Sequence, residues 1–179
     1  MTVFLGLPHF LILERRDTMK NIKIYYISER YIGYLRKFDK NVAFNKKTTR
    51  PYVGIVYTYN NHNYFAPLSS PKPKHKTINP KAIDIYIIKE GELGVININN
   101  MIPTPIEELT EVLPIVKDAK YKKMLEEQLT FLNNHKMELY RKVKLFQNMY
   151  RKGYLDKRIL DRCCQFELLE EMCNKYDHV

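Results

Sequence analysis

The sequence predicts an α+β fold in which a compact, strongly bent antiparallel β-sheet is covered by α-helices. Segments typical of strands dominate the first half of the chain, whereas the second half carries an apolar repeat of helical period. Strands followed by helices are typical of α+β domains rather than alternating α/β folds. Apolar residues make up 45% of the 179 residues, which is enough for a hydrophobic core.

The chain begins its predicted sheet with a strand, a short helix and a hairpin. Residues 21–27 are rich in β-branched and aromatic side chains, as strands are. Ser28 is a suitable N-cap for a helix whose apolar spacing continues to Phe38. The dipeptide Asn60-Asn61 separates two further strand-like segments, and it predicts a tight hairpin turn between them.

A proline-rich segment and a second hairpin complete this half. Residues 69–81 contain three prolines and are predicted to form a loop. Residues 82–88 and 94–98 are predicted to pair as a hairpin, after which residues 101–105 should leave the sheet.

The second half is predicted to be helical. One helix of about thirty residues is indicated by apolar positions that share one face, namely Tyr121, Leu125, Gln128, Leu132, Leu139, Val143, Phe146 and Tyr150. Gly153 should end it, since glycine readily adopts the left-handed conformation that follows a helix. A last helix is predicted with an inner face of Phe166, Leu168, Leu169, Met172, Cys173 and Tyr176.

Charge and cysteine content restrict the class of protein. The net charge of +10 and the pI of about 9.4 favour a polyanionic partner such as RNA, DNA or an anionic membrane, the alternative being an incidentally basic protein. The chain has no apolar run long enough to span a membrane. Its three cysteines lack a CxxC spacing and its histidines lack zinc-ligand spacing, so we expect a cytoplasmic protein with no metal and no cofactor.

The loop after the first hairpin carries hydroxyls and cations in close succession. Ser69 and Ser70 are followed by Lys72, Lys74, His75 and Lys76, and no Asp or Glu occurs between Lys40 and Ile83. Hydroxyl donors beside closely spaced cations suit a phosphodiester. The alternative is a solvated basic loop that only forms a turn.

This composition is consistent with metal-free cleavage of RNA, in which the neighbouring 2′-OH is the nucleophile. Ser70 and Ser69 can donate hydrogen bonds to a non-bridging phosphate oxygen, and Lys72 can neutralise developing charge. His75 is either a general base, a base-stacking contact or an incidental loop residue.

A wider set of basic and aromatic residues is predicted to bind RNA, because interleaved cations and aromatic rings hold single strands. The set is Tyr31, Lys40, Lys46, Lys47, Arg50, Lys74, His75, Lys76, Lys136, Arg141 and Lys144. For the last three, a solvated helix face is an equally good interpretation, and Tyr31 could face either the core or the surface.

The first eighteen residues stand apart from this domain. They contain an apolar stretch but no basic n-region and no small-residue cleavage site, so they make a poor signal peptide. Residues 14–17 can be encoded as GAA-AGG-AGG-GAT, a purine-rich ribosome-binding sequence just before Met19. We therefore expect residues 1–18 to be a translated leader or a disordered arm, and residues 19–179 to form a single domain.

From Met19 to Tyr176 the chain resembles the type III toxin–antitoxin endoribonucleases, the ToxN/AbiQ family. The similar segments occur in order, and they are residues 26–28 with 31–35, 38–42, 50–54, 64–72, 93–97, 100–103, 121–132 and 164–170. The most specific is the Pro-Leu-Ser-Ser-Pro-Lys sequence at 67–72, where the family's Ser/Thr-Ser-x-Lys active-site motif falls on Ser69, Ser70 and Lys72.

The resemblance implies that residues 19–179 form a single endoribonuclease toxin domain, with a barrel-like sheet related to toxin ribonucleases of the MazF/Kid type. It implies metal-independent cleavage of single-stranded, often A-rich cellular or phage RNA that leaves a 2′,3′-cyclic phosphate. It also implies a repeated antitoxin RNA whose pseudoknots the toxin cuts from a precursor, and a cyclic toxin–RNA assembly. Such systems act in plasmid maintenance or abortive infection.

Two other functions compete with this interpretation. A non-catalytic RNA-binding regulator would share the charge and the aromatic residues. A DNA-binding repressor would need a helix-turn-helix, and no helix pair with a short glycine-containing turn is visible in the sequence. We therefore expect neither DNA nor a membrane as partner.

Overall fold

The computed structural model describes residues 20–44 and 50–176. Within these ranges the chain forms seven strands, which are β1 (Lys23–Ile27), β2 (Pro51–Tyr59), β3 (His62–Ser69), β4 (Ile85–Ile87), β5 (Val95–Asn97), β6 (Ile102–Pro103) and β7 (Leu109–Glu111). Its five helices are α1 (Glu29–Arg36), α2 (Ala119–Asn134), α3 (Lys136–Arg151), α4 (Lys157–Leu160) and α5 (Phe166–Asn174). The expectations for residues 1–18, for a start at Met19 and for Lys46 and Lys47 lie outside the described residues.

The strands form one antiparallel sheet, as predicted for an α+β fold. The order is β4-β5-β3-β2-β1-β7, and β6 adds a further pairing to β3. Because β4 and β7 each have a single neighbour, the sheet is open within the described ranges. The helices α3 and α5 pack on β2 and β6 respectively, and the hydrophobic core lies between these layers.

Both predicted hairpins are confirmed. Asn60 and Asn61 have φ values of 45° and 62°, as a two-residue turn between twisted strands requires. In the second hairpin, Ile85 of β4 pairs with Asn97 of β5. This register brings the end of β5 to the end of β3, where Ser69 pairs with Val95.

Residues 101–105 do not simply leave the sheet, as the sequence had suggested. Ile102 and Pro103 form β6 and pair with Phe65 and Tyr64 of β3. Both residues of β6 are buried, so the pairing extends the apolar core, and a proline is tolerated because this strand is at an edge.

The predicted long helix is two helices. The helices α2 and α3 share the expected apolar face. His135 lies between them with φ −117° and ψ 17°, and it interrupts the helix. The predicted stop at Gly153 is confirmed, with a φ of 71°. The final helix α5 buries Phe166, Leu169 and Met172, as expected from its periodicity.

Candidate active site

The candidate catalytic loop begins where β3 ends. Ser69 is the last residue of β3 and is half-buried, whereas Ser70 and Lys72 are exposed. Residues Pro73–Thr77 then form a 3₁₀ turn, in which the His75 N–H donates a 2.9 Å hydrogen bond to the Lys72 carbonyl. The loop therefore leaves the sheet in extended form, and regular secondary structure resumes just after Lys72.

The hydroxyl of Ser69 is held by a neighbouring strand. Nδ2 of Asn97, at the end of β5, donates a 3.2 Å hydrogen bond to Oγ of Ser69. Because the serine oxygen accepts this bond, its own proton stays available for another acceptor, such as a phosphate oxygen.

Two glycines of the β4–β5 connection, Gly91 and Gly94, lie in close contact with the backbone of the loop. A Cβ on Gly94 would lie 2.0 Å from the Ser69 carbonyl oxygen, and a Cβ on Gly91 would lie 2.6 Å from the backbone carbonyl of His75. Their φ values of 91° and 87° also favour glycine. Only glycine therefore allows this turn to approach the loop so closely.

His75 is buried although it belongs to a loop. Its side chain is 3% exposed, and Nδ1 has no hydrogen-bond partner among the described residues. Burial, with smaller contributions from Lys72 and Lys74, lowers the pKa of His75. The neutral imidazole is therefore favoured, and one of its nitrogens is unsatisfied.

Lys72 lines a shallow cleft of about 520 Å³ that is bounded by Pro71, Pro73 and Gly91. Lys76 and Glu92 line this cleft and also a neighbouring cleft of about 850 Å³. Ser70 is exposed beside the first cleft but is not part of its lining, so the two clefts place lysines, but not Ser70, along one surface.

A further basic cleft, of about 520 Å³, includes Asn97, the residue that contacts Ser69. It is lined by Lys40 and Asn97 together with Arg36 and Arg162. The Arg162 guanidinium is ion-paired at 2.7 Å with Asp84, whose side chain is almost fully buried. Lys40 is thus connected to the candidate site through the residue that contacts Ser69.

The other predicted RNA-binding residues fall into separate regions. Lys74 and Lys76 are exposed on the 3₁₀ turn, and Arg50 is half-buried with Nε donating 3.0 Å to the Phe44 carbonyl. Arg141 and Lys144 are exposed on α3, and Lys136 at its start contacts Asn21 at 3.4 Å.

Tyr31 requires a correction. It was expected on an RNA-binding surface, but its side chain is fully buried and its hydroxyl donates a 2.7 Å hydrogen bond to the Pro103 carbonyl. The reason is that Tyr31 lies on the inner face of α1, between the sheet and Tyr176, with which its ring packs edge-on. In this structure the ring is not accessible to RNA.

Sequence reasoning assigned no role to Asn97, Gly94 or Gly91, although all three contact the loop. Glycines clustered in a short turn, at 91 and 94, are the signal that could have revealed a close backbone approach. For Asn97 the contact depends on strand register, which no local pattern encodes.

The described residues bring together no group of three or more side chains that could hold a metal ion. In the same part of the chain, no helix is long and apolar enough to cross a membrane.

Comparison with known proteins identifies a family. The model of the toxin ToxN of type III toxin–antitoxin systems matches residues 23–174. A curated relative, the endoribonuclease ToxN of Bacillus thuringiensis subsp. kurstaki, is 34% identical over 165 residues, covering 87% of this chain and 84% of the relative.

Solved structures agree with these sequence matches. AbiQ, described as a lactococcal anti-phage endoribonuclease of a type III toxin–antitoxin system, superimposes with a TM-score of 0.74 at 28% identity, covering 88% of this chain and 98% of AbiQ. A second structure, from work on selective toxin inhibition by a non-coding RNA pseudoknot, gives a TM-score of 0.73 at 31% identity, with 89% and 100% coverage.

Proposed function

The chain belongs to the ToxN family of type III toxin–antitoxin toxins, and on that premise we propose that it cuts RNA with Ser70, Lys72 and Ser69. It is an endoribonuclease, because it is 30–34% identical to the endoribonucleases ToxN and AbiQ over most of their length. The observation that carries the site assignment is the position of these residues, at the end of a central strand and on a loop rich in cations.

The proposed reaction uses the substrate's own 2′-OH as nucleophile. As the 2′-OH loses its proton, its oxygen attacks the adjacent phosphorus and the bond to the 5′-oxygen breaks. The 5′-oxygen gains a proton, so that a 2′,3′-cyclic phosphate and a 5′-hydroxyl remain. Ser70 and Ser69 donate hydrogen bonds to a non-bridging oxygen, where negative charge develops. Lys72 lies two residues further on and adds a positive charge at the same phosphate.

Asn97 orients this arrangement without touching the substrate. By donating to Oγ of Ser69 it directs the serine proton away from β5, toward the loop surface. Lys74 and Lys76, both exposed on the following turn, supply positive charge for the flanking phosphates.

The partner of this toxin is an antitoxin RNA, as its family membership and the pseudoknot-inhibited relative indicate. We further propose single-stranded, A-rich targets in cellular or phage RNA, processing of the antitoxin precursor, and a cyclic toxin–RNA assembly in the cytoplasm. The remaining RNA-binding set, with Lys46, Lys47 and Arg50, belongs to the same proposal.

Two structural details also remain proposals. Residues 19–179 form a single toxin domain, which the family match over residues 23–174 supports. The open antiparallel sheet is a variant of the barrel-like MazF/Kid-type arrangement, in which β4 and β7 are the unpaired ends.

The proposal is tested by mapping RNA ends in cells that express the wild-type chain, Ser70→Ala, Lys72→Ala or, as a matched control, Lys120→Ala, which removes an exposed lysine of α2 outside the RNA-binding set. Ser70 and Lys72 are both exposed, so their alanine variants should fold normally. Loss of one preorganised donor typically lowers a rate by about 10²–10³-fold. New RNA ends with 2′,3′-cyclic phosphates should appear with wild type and Lys120→Ala only.

The same experiment addresses the competing function. A non-catalytic RNA-binding regulator would generate no new ends, and its effect on growth would persist in Lys72→Ala. Full cleavage by Lys72→Ala would instead move the catalytic site elsewhere, with His75 as the next candidate.

A further inference from the structure

A cleft of about 850 Å³ continues the catalytic loop toward the helices. The cleft is lined by the 3₁₀ turn with His75 and Lys76 and by the junction of α2 and α3 around His135. Since Lys76 also lines the cleft that contains Lys72, a strand held at Lys72 can place its next nucleotide here.

The helix junction presents an aromatic platform in this cleft. The rings of Phe131 and His135 are stacked, with centroids 4.0 Å apart and an interplanar angle of 15°. Nδ1 of His135 lies 2.8 Å from the Phe131 carbonyl, which fixes the orientation of the imidazole. His135 is exposed, so the ring face away from Phe131 is available for stacking.

Polar groups surround the platform. Glu138 and Lys142 lie one turn apart on α3 and both line the cleft, so an acceptor and a donor are presented side by side. Burial lowers the pKa of Lys142, and burial together with Glu138 raises the pKa of Tyr86 on the floor. On the 3₁₀ turn, the unpartnered Nδ1 belongs to the almost fully buried His75.

We propose that this cleft is a nucleobase subsite, in which one unstacked purine beside the cut phosphate stacks on His135 and hydrogen-bonds to Glu138 and Lys142. Single-stranded RNA is read in this way, by stacking on aromatic side chains and by hydrogen bonds to base edges. A purine fits because its amino group and its ring acceptors suit a carboxylate beside an ammonium, and its two rings cover more of the platform. The inference rests on the proposed RNA cleavage and names residues that read sequence.

The stacking part is tested with short synthetic RNAs that carry the mapped cut site. Each flanking base in turn is replaced by an abasic nucleotide, and kcat/KM is measured for wild type, His135→Ala and His135→Phe. At one flanking position, removal of the base should lower wild-type kcat/KM by about 5- to 150-fold, the range for one base–aromatic stack. On intact RNA, His135→Ala should show the same loss and His135→Phe should recover most of it.

The decisive result is whether the effect of removing the base and the effect of His135→Ala depend on each other. If the base contacts His135, wild type and His135→Ala cut the abasic RNA equally well, because the interaction has already been lost. The proposal would be overturned if His135→Ala lowered kcat/KM equally on intact RNA and on abasic RNA at every position.

The hydrogen-bonding part uses two variants of matched charge. Lys142→Gln and Lys144→Gln each remove one positive charge from α3, but only Lys142 lines the cleft. Lys142→Gln should lose the preference for a purine over a pyrimidine at the coupled position, and Lys144→Gln should retain it. The same change of preference in both variants would contradict a specific contact.

Failure of this subsite differs from failure of the proposed function. Cleavage that requires Lys72 but shows no coupling to His135 would overturn the subsite alone. A wild-type chain that cuts no RNA would overturn both.

Discussion

A Cβ placed on Gly94 would lie 2.0 Å from the carbonyl oxygen of Ser69. The turn between β4 and β5 is therefore in direct backbone contact with the end of β3, where the proposed catalytic residues begin. The position of the serines depends on a segment about 25 residues away along the chain.

We predict that Gly94→Ala lowers both stability and cleavage. The left-handed conformation costs an alanine about 1–2 kcal/mol, and the clash with Ser69 adds to it by displacing the loop. Gly153→Ala is the matched control, because Gly153 also has a positive φ but nothing lies within 4 Å of its added Cβ. Urea unfolding should show a larger loss of stability for Gly94→Ala than for Gly153→Ala. RNA cleavage should be at least about tenfold slower in Gly94→Ala and unchanged in Gly153→Ala.

Gly33→Ala supplies the opposite control. Gly33 lies inside α1, with nothing within 4 Å of its added Cβ, so alanine should raise stability by about 1 kcal/mol through helix propensity. Equal effects of Gly94→Ala and Gly153→Ala would show that the contact with Ser69 does not matter.

We expect RNA cleavage to persist in excess EDTA. The proposed reaction takes its charge stabilisation from serine hydroxyls and Lys72, and the described residues contain no cluster of metal-ligating side chains. Cleavage of a labelled RNA should proceed at the same rate before and after chelation. A rate lost with EDTA and restored by Mg²⁺ or Mn²⁺ would rule out the 2′-OH mechanism as written.

RNA affinity should fall steeply with salt. Each phosphate contact on a single strand contributes about −0.7 to the slope of log affinity against log salt. Lys40→Gln combined with Lys74→Gln should make the slope shallower by about 1.4, if each lysine neutralises one phosphate. Binding is measured with a catalytically inactive Lys72→Ala background over a range of salt concentrations.

The double variant Arg141→Gln with Lys144→Gln removes the same charge from α3. An unchanged slope would identify these two residues as a solvated helix face, whereas an equal decrease would extend the RNA-binding surface to α3. An unchanged slope in the first double variant would exclude Lys40 and Lys74 from phosphate contact.

Stability should decrease at acidic pH partly because of His75. Burial lowers its pKa below the ordinary value of 6.5, so the unfolded chain binds the proton more readily than the folded chain does. The contribution is present above about pH 6.5 and is lost as the pH falls toward the folded-state pKa. Thermal unfolding between about pH 7.5 and 5 should show a smaller decrease in Tm for His75→Gln than for wild type. Parallel curves would show that His75 titrates alike in both states.

Sequence patterns predicted those folded features that short segments determine. Asn60-Asn61 indicated a hairpin because both residues tolerate positive φ. The phosphate-binding role that the close succession of Ser70 and Lys72 indicates stays a prediction. The interruption at His135 was not predictable, since the apolar face continues through it from α2 to α3.

Features that depend on strand register escaped the sequence analysis. Asn97 reaches Ser69 only because β5 pairs with both β3 and β4, and β6 joins β3 as a strand of two residues. The burial of Tyr31 likewise follows from how α1 packs, since aromatic side chains in an RNA-binding protein can serve either the core or the surface.

The central position of β3 has a consequence for how this toxin can be controlled. Because β3 pairs with β2, β5 and β6, its backbone amides should exchange with solvent only on near-global unfolding, whereas those just after Ser69 should exchange through local opening. The strand that carries Ser69 is therefore expected to stay folded as long as the rest of the sheet is folded. If Ser70 and Lys72 form the site as proposed, an antitoxin RNA that covers them blocks cleavage without any rearrangement of the fold.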